Sequence, residues 1–326
     1  MKDKHIPVLD LLRGFAALSV CLYHFVCTTT GYIQTQWILD FFSIGKYGVQ
    51  LFFVISGFII PWSMYKSDYQ FKNFWLFLLK RLARLEPPYI VSLALAVIIL
   101  MLRNSILGQS ANLQEITVTR ILLHFGYLIP FFENYEWINQ VYWTLAVEFQ
   151  YYLFIAIIFV PLVNWGLVAR IVIYLGFLAL AFFQNSHFLP HWLPVFLLGI
   201  LIFLFRVKKI SALEYYLVSA VVLIFGFYLY QPGEMLYMVL PVIMILYFSE
   251  LQFGIGNFLG KISYSLYLIH PIIGATFINV ISHHVSHPIG KVAVICTGIV
   301  ITLISSWIMY RLVELPSKRL SSRLKY

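Results

Sequence analysis

The sequence is poor in charge. Only 11 % of its 326 residues are Asp, Glu, Lys or Arg, whereas 61 % are hydrophobic. Soluble globular chains carry roughly a quarter charged residues and roughly 45 to 50 % apolar ones. This composition excludes an intrinsically disordered chain, a secreted disulfide scaffold and an ordinary cytosolic enzyme. About ten bilayer spans of roughly 20 residues each would account for the apolar content.

Cysteine is also scarce. The three cysteines, Cys21, Cys27 and Cys296, lie in apolar runs without CxxC or CxxH spacing, which excludes a disulfide framework. Histidine pairs four residues apart can bind zinc, but here no acidic or cysteine ligand accompanies them at metal spacing. We therefore predict no metal site from the histidines of the connecting segments, which are His187, His191, His283, His284 and His287.

Long apolar stretches dominate the remainder of the chain, and they predict an all-α, polytopic membrane protein with about ten transmembrane helices. The segment Ile121 to Phe132 could form a re-entrant element. The ten predicted spans are Leu11 to Thr28, Val49 to Tyr65, Pro88 to Leu102, Val141 to Val163, Leu167 to Phe183, Trp192 to Phe205, Leu213 to Tyr230, Met235 to Phe248, Ile262 to Ser282 and Val292 to Tyr310.

The basic residues support this topology independently. Lysine and arginine favour the cytoplasmic side of short loops. If the N-terminus is inside, every basic residue of the 22 falls on that side except Lys46, Arg103, Arg120 and Lys291. Both termini are therefore predicted to be cytoplasmic. The net charge of +9 is explained by topology, and we expect no nucleic-acid partner.

The chain has no long repeat or linker, so residues 1–326 are predicted to form one transmembrane domain with a retained first helix rather than a cleaved signal peptide. Two segments between spans are long enough to matter. Residues 66–87 mix aromatic and aliphatic residues with Lys72, Lys80, Arg81 and Arg84, which is typical of a cytoplasmic helix at the membrane interface. Residues 103–140 form the predicted outer segment.

The first span carries ionisable residues, which are costly inside a bilayer and therefore candidates for function. Asp10 and His24 lie on one helix face, with small residues between them. Arg13 lies beside that face, and its eleven-residue separation from His24 is roughly three helical turns, or about 16 Å. One interpretation is a ligand channel that has Arg13 at its cytoplasmic mouth and His24 at depth. The other is a topological arginine and a histidine that only packs in the bundle.

Polar residues also occur in the fourth and ninth spans. Glu148 lies inside the fourth span, where a carboxylate must be paired, protonated or exposed to water. His24 is its predicted partner by depth, with a structural contact to Tyr or Arg as the alternative. Ser263, Tyr267 and His270 share one face of the ninth span. They could line the same cavity or only connect neighbouring helices.

Six motifs in order resemble the acyltransferase 3 family of membrane acyltransferases, over nearly the whole chain. The first is the Arg-x10-His pattern of Arg13 and His24 within "LDLLRGFAALSVCLYH". The others are "GVQLFFVISGFII", "RLARLEPPY" with Arg81 and Arg84, "WTLAVEFQYYLF" with Trp143 and Glu148, "SYSLYLIHP", and "VELPSKRL" around Glu314 and Pro316.

The resemblance implies transfer of an acyl group, often acetyl, from cytosolic acyl-CoA to a hydroxyl group, commonly on a surface glycan or lipid-linked sugar. Acyl-CoA would be a substrate, with no permanently bound cofactor. The chain is similar to members without a fused extracytoplasmic domain, and a multi-pass position in a bacterial cytoplasmic membrane is expected. The oligomeric state is left open.

Such chemistry needs a base for the hydroxyl proton and a group that stabilises the oxyanion. We expect His24 to be the base, Glu148 to orient it, and the guanidinium groups of Arg13, Arg81 and Arg84 to hold the donor phosphates. Direct transfer and an acyl-histidine intermediate both remain possible.

A transporter or glycan-lipid flippase is the main alternative, and a different membrane-bound O-acyltransferase fold is a third. The predicted pocket-lining residues are Asp10, Trp143, Ser263, Tyr267 and His270.

Overall fold

A computed structural model describes residues 6–28, 31–107 and 116–324, and within these ranges it contains helices and no strand. The predicted all-α fold is confirmed. The α-helices are α1 Pro7–Cys27, α2 Gln36–Ser43, α3 Gly48–Lys66, α4 Phe74–Leu107, α5 Val118–Phe125, α6 Trp143–Asn164, α7 Gly166–Leu180, α8 Leu189–Arg206, α9 Ala212–Leu229, α10 Pro232–Tyr247, α11 Gly254–Ile269, α12 Thr276–Ser282, α13 Pro288–Met309 and α14 Leu315–Arg323.

Eight helical segments within the described ranges are long and apolar enough to cross a bilayer. Two further apolar helices, α7 and α10, have 15 and 16 residues. At 1.5 Å per residue they reach about 23 Å, less than a hydrocarbon core of roughly 30 Å. These two helices coincide with the fifth and eighth predicted spans. A multi-pass membrane protein is therefore confirmed, while the number ten and the cytoplasmic position of the termini stay predictions.

Helix α4 differs from its sequence-based description. The predicted third span begins at Pro88, after a separate segment 66–87. In the structure, α4 runs from Phe74 to Leu107 and continues through Pro87 and Pro88. Its first half is thus part of the same helix as the third apolar stretch. The placement of 66–87 at the cytoplasmic interface stays a prediction.

The predicted outer segment 103–140 is described only in part, because residues 108–115 lie outside the described ranges. Its described remainder contains the short helix α5 and two 3-10 turns, Ile129–Phe131 and Gln140–Tyr142. The outer placement of this segment also stays a prediction.

Helix α8 forms the centre of the bundle. Its residues are apolar on all sides, and an unbroken run of them is buried, as expected for a helix surrounded by other helices. Gly57 of α3 and Gly199 of α8 allow the two backbones to touch, because a Cβ at Gly199 would overlap the carbonyl oxygen of Val54. Small residues at helix contacts commonly allow such close packing in membranes. This contact fixes α3, which forms one wall of the candidate site.

Candidate active site

A cavity of about 530 Å³ lies between α1, α3, α4, α6, α11 and α14. Val49 in the first turn of α3 and Lys66 in its last turn both line it. These residues are 17 positions apart, or about 25 Å along a helix. The cavity therefore extends over most of the length of a membrane-spanning helix.

One part of the cavity wall is rich in charge. Five cationic side chains line the cavity, against three carboxylates, Asp10, Glu148 and Glu314. The excess of positive charge suits an anionic ligand. The five cationic residues are Arg13, Lys66, Arg81, Arg84 and Lys318.

Glu314 holds part of this charged wall in place. It ends the π-helical turn Tyr310–Glu314 between α13 and α14, and it is only 1 % exposed. Its Oε2 accepts hydrogen bonds from the backbone N–H and the hydroxyl of Ser265, at 3.1 and 2.6 Å. Its Oε1 forms a 2.6 Å ion pair with Lys318, one turn further along. The π-helical turn thus connects α11 to the cationic end of the cavity.

Two guanidinium groups at this end have unused hydrogen-bonding capacity. Arg13 and Arg84 both line the cavity, and neither makes a hydrogen bond or an ion pair with another of the described residues. Arg81 differs, because its guanidinium packs 5.8 Å from the ring centroid of Tyr152. A guanidinium offers five N–H donors in a planar fork that matches phosphate oxygens. Arg13 and Arg84 could therefore hold an anion between α1 and α4.

A pair of histidines lies deeper in the bundle. His24 on α1 and His270, the first residue of the π-helical turn His270–Ala275, are joined by a 2.8 Å contact between His24 Nδ1 and His270 Nε2. Their ring centroids are 5.0 Å apart. His270 is fully buried, whereas His24 is partly buried. π-helical turns occur frequently at functional sites.

The hydrogen bonds of this pair define its tautomers. His270 Nδ1 lies 3.1 Å from the carbonyl oxygen of Leu266, which can only accept, so Nδ1 carries the proton. In a neutral His270, Nε2 then accepts from His24 Nδ1–H. The second nitrogen of His24, Nε2, consequently carries the lone pair. His24 is arranged to accept a proton at Nε2.

Tyr267 connects the histidine pair to the cavity. It lines the cavity, its ring centroid lies 5.9 Å from that of His270, and its hydroxyl lies 3.0 Å from that of Thr144. Phe52 lines the cavity as well and packs edge-on against Tyr267. His24 itself is not among the described residues that line the cavity. Tyr267 and Phe52 therefore form the wall on the side of the histidines.

The predicted pairing of Glu148 with His24 is wrong. Glu148 lines the cavity and accepts hydrogen bonds to Oε1 from Ser56, at 3.0 Å, and from Tyr152, at 2.6 Å. Two hydroxyl donors, one of them a single turn away on α6, therefore satisfy this carboxylate without the imidazole. His270, instead of Glu148, contacts the His24 imidazole.

A profile of the acyltransferase 3 family, described as "Acyltransferase domain", matches residues 6–311. The chain belongs to the acyltransferase 3 family. The match includes α1, with Arg13 and His24, and the π-helical turn that begins at His270. It ends three residues before Glu314. The structure thus brings together, around one cavity, residues from opposite ends of the family region.

The individual proteins that this acyltransferase 3 chain resembles are 27 to 29 % identical to it over the aligned residues. A provisionally named O-acetyltransferase of Staphylococcus aureus strain COL is 27 % identical over 98 % of this chain and 58 % of its own length. A provisionally named acetyltransferase of Acidianus two-tailed virus is 29 % identical over 83 % of this chain and 84 % of its own length. O-acetyltransferase OatA of S. aureus strain NCTC 8325 is 28 % identical over 46 % of this chain. The chain spans less than two thirds of the length of the staphylococcal relatives, and no solved structure matches it.

The remaining site residues predicted from the sequence fall into three groups. Asp10 lines the main cavity together with the three predicted arginines. Trp143 instead lines a second, smaller cavity. Ser263 is buried and donates a 2.9 Å hydrogen bond to the carbonyl oxygen of Gly260 on its own helix, so it lines neither cavity.

Sequence reasoning missed Lys66, Ser56, Tyr152 and Lys318 as site residues. Ser56 and Lys66 lie ten positions apart on α3 and both face the cavity. With Phe52 they lie at i, i+4 and i+14, which is one face of a helix and could have indicated a polar stripe in an apolar span. Lys318 follows Glu314 at i+4, a spacing that favours an ion pair.

Within residues 6–28, 31–107 and 116–324, no three His, Cys, Asp or Glu side chains converge in a way that could hold a metal ion.

Proposed function

We propose that this protein is a membrane O-acyltransferase that moves an acyl group, in the first instance acetyl, from cytosolic acyl-CoA to a hydroxyl group of a cell-surface carbohydrate. The observation that carries the proposal is one long cavity with two uncommitted guanidinium groups at its charged part and a wall that contacts a histidine pair. The names of the relatives support acetyl as the group and oxygen as the acceptor atom. The proposed location is a bacterial cytoplasmic membrane.

In this proposal the charged part of the cavity binds the nucleotide end of acyl-CoA. Arg13 and Arg84 donate to phosphate oxygens, with Lys66 and Lys318 adding positive charge nearby. The long arm of acyl-CoA lies along α3, and the thioester at its end reaches the level of Tyr267. The cavity length of about 25 Å is suited to an elongated molecule of this kind.

The chemistry uses His24 as a general base. The acceptor oxygen attacks the thioester carbonyl carbon, while its proton moves to His24 Nε2. The C–S bond then breaks, and the thiolate of CoA takes the proton back from His24. Before the attack, rotation of the Tyr267 or Phe52 side chain opens the cavity toward the His24 imidazole. His270 keeps His24 in the required tautomer through the 2.8 Å contact. Direct attack and a transient acyl-histidine lead to the same products.

The test is acetyl transfer by the purified protein in nanodiscs, using acetyl-CoA labelled in the acetyl group and soluble oligosaccharides as acceptors. The wild type should form an ester that is released by hydroxylamine. His24→Gln should lower kcat by roughly 10²–10⁴-fold, as expected for the loss of a general base. His284→Gln is the matched control, because His284 is exposed and remote from the cavity.

The competing function is a carrier without covalent chemistry. Intramembrane Arg, His and Glu residues also serve in proton-coupled transport. A wild-type protein that leaves all label on CoA in the presence of acceptors, yet moves a glycan lipid between leaflets, would overturn the proposal. Full transfer activity in His24→Gln would remove His24 as the base.

A further inference from the structure

The second cavity, of about 290 Å³, lies where four helices begin. Its wall is formed at the start of α3, α6, α8 and α10, whereas Lys66 of the main cavity lies at the opposite end of α3. The volume is close to the lower limit of roughly 300 Å³ for pockets that hold small molecules. A single compact ring would fill it.

Fixed hydrogen-bonding groups surround this cavity. Gln50 is only 3 % exposed and donates from Nε2 to Oε1 of Glu234 at 2.7 Å. Its Oε1 is buried and has no hydrogen-bond partner among the described residues. The Tyr47 hydroxyl donates a hydrogen bond to Oε1 of Gln231, and the backbone N–H of Gln231 donates to Oε2 of Glu234. A buried amide oxygen without a partner is unfavourable, and a ligand hydroxyl would satisfy it.

Aromatic side chains complete the lining. Trp143 and Trp192 both line the cavity, and their rings are stacked with centroids 5.7 Å apart. Trp143 is partly exposed, whereas Trp192 is held by a 2.8 Å hydrogen bond from its Nε1 to the carbonyl oxygen of Ser186. Indole rings offer an apolar surface, and amide and carboxylate groups next to them bind hydroxyls. Sugars combine these needs, since they have an apolar ring face and a rim of hydroxyl groups.

The smaller cavity adjoins the larger one. Val49 lines both. Phe53 lines the larger cavity, and its ring centroid is 6.4 Å from that of Trp143 in the smaller one. One layer of side chains therefore separates the two. A hydroxyl pointing toward Val49 would face the part of the main cavity that is far from Lys66.

From this arrangement we infer that the smaller cavity is the acceptor subsite and binds one sugar ring, with Gln50 accepting from a ring hydroxyl and Trp143 packing against the ring. The inference rests on the proposed function for its role in transfer. Binding of a sugar, however, needs no transfer, so the two can fail separately.

The experiment measures binding of methyl glycosides of glucose, mannose and N-acetylglucosamine to the protein in nanodiscs, without acyl-CoA, by saturation-transfer NMR. At least one glycoside should bind, and glycerol should not. Gln50→Leu removes the amide and should weaken binding about tenfold or more, the effect of losing one hydrogen bond of about 1.4 kcal/mol. Trp143→Phe, which keeps an aromatic ring of smaller area, should weaken it less.

Two matched controls isolate the site. Gln252→Leu and Trp165→Phe make the same replacements at exposed positions outside both cavities, and they should bind like the wild type. If Gln50→Leu does not fold, Trp143→Phe carries the test. Unchanged glycoside binding in the folded site variants, or no binding of any glycoside by the wild type, would overturn the inference. Glycoside binding that depends on Gln50 in a protein without transfer activity would support the subsite and contradict the proposed function.

Discussion

At the residue scale, the tautomer of His24 depends on a residue 246 positions away. His270 is fixed by the Leu266 carbonyl, and this bond makes its Nε2 an acceptor for His24 Nδ1–H. If the pair works as proposed, His270 is a positioning residue that acts through His24. Removal of its acceptor would weaken the preference for the tautomer that leaves Nε2 unprotonated, and a proton on Nε2 would be on the wrong atom for a base.

If His270 acts through His24, two substitutions of His270 should have different outcomes. His270→Ala should lower kcat for acetyl transfer by about tenfold to a hundredfold, within the range of general-base effects. His270→Gln should recover part of the loss, because its amide oxygen can accept from His24 Nδ1–H. The measurement is the pH profile of kcat, which should shift in His270→Ala. An equal loss of folded protein in both variants with an unchanged profile would indicate a structural role only.

The phosphate-binding role of Arg84 is tested with a truncated donor. Arg84→Gln should raise the KM for acetyl-CoA by about tenfold, since charge-assisted hydrogen bonds contribute about 1.5–3 kcal/mol. The KM for acetyl-pantetheine, which lacks the nucleotide and its phosphates, should not change. Arg311→Gln is the control, because Arg311 is exposed and does not line the cavity. Equal effects on both donors would contradict phosphate recognition.

The sequence could give the separation of Arg13 and His24 as about three turns of one helix, because both residues lie on α1 and spacing along a helix gives axial distance directly. It could not identify the partner of His24. Glu148, Tyr267 and His270 all lie in spans, and their order in space depends on how α1, α6 and α11 rotate and pack. A buried carboxylate needs a hydrogen-bond donor or a positive charge, but this need does not determine which residue provides it. In the structure, Ser56 and Tyr152 donate to Glu148.

At the element scale, the contact between α3 and α8 depends on two glycines that face each other. A Cβ at Gly199 would meet backbone atoms of Val54, Gly57 and Phe58, which cannot move as a flexible side chain could. The sequence shows α8 as apolar all round, which indicates burial. It does not show which helix packs against Gly199.

Gly199→Ala is therefore expected to destabilise the protein by about 1–3 kcal/mol, the typical cost of overpacking. Gly176→Ala in α7 is the matched control, because a Cβ there meets nothing within 4 Å. That control should be neutral or stabilising by about 0.5–1 kcal/mol, since alanine favours helix more than glycine does. The measurement is thermal unfolding in detergent. A similar melting temperature for the two variants would contradict the close packing.

Helix α5, outside the eight candidate spans, provides a pH-dependent element. His124 is fully buried; its Nδ1 lies 2.7 Å from the Arg120 carbonyl oxygen, and its Nε2 accepts from the Ile138 N–H. Burial lowers the pKa of His124 from 6.5 to about 4. Below pH 6.5 the unfolded state binds more protons than the folded state, so the stabilisation present above pH 6.5 is lost as pH falls toward 4.

Thermal unfolding at a series of pH values should show this loss between pH 6.5 and 4. His124→Gln should be less stable at neutral pH and should lose less stability over that interval, because the titrating group is gone. His284→Gln, at an exposed position, should retain the wild-type dependence. If His124→Gln keeps the full dependence, another group causes it.

At the scale of the whole molecule, composition was sufficient to predict a multi-pass helical protein, because so few charges cannot cover a soluble surface. Composition did not determine the number of membrane spans. Apolar residues serve lipid contact and internal packing equally, so α7 and α10 have the composition of spans but only 15 and 16 residues. The sequence suggested a ligand channel at Arg13, but the size of the cavity and the rest of its lining could not be predicted, because they depend on how the helices around it pack.

The direction of the cavity across the molecule leads to a prediction about donor selectivity. If phosphates bind near Lys66, the acyl group lies at the far end, beside Leu145, which lines the cavity next to Thr144. Leu145→Ala should enlarge that end and raise the ratio of kcat/KM for butyryl-CoA to that for acetyl-CoA by about tenfold or more, as one or two methylenes in an apolar pocket allow. Ile59→Ala removes a similar volume nearer to Lys66 and should leave the ratio unchanged. A larger change for Ile59→Ala would mean that the donor lies in the opposite direction.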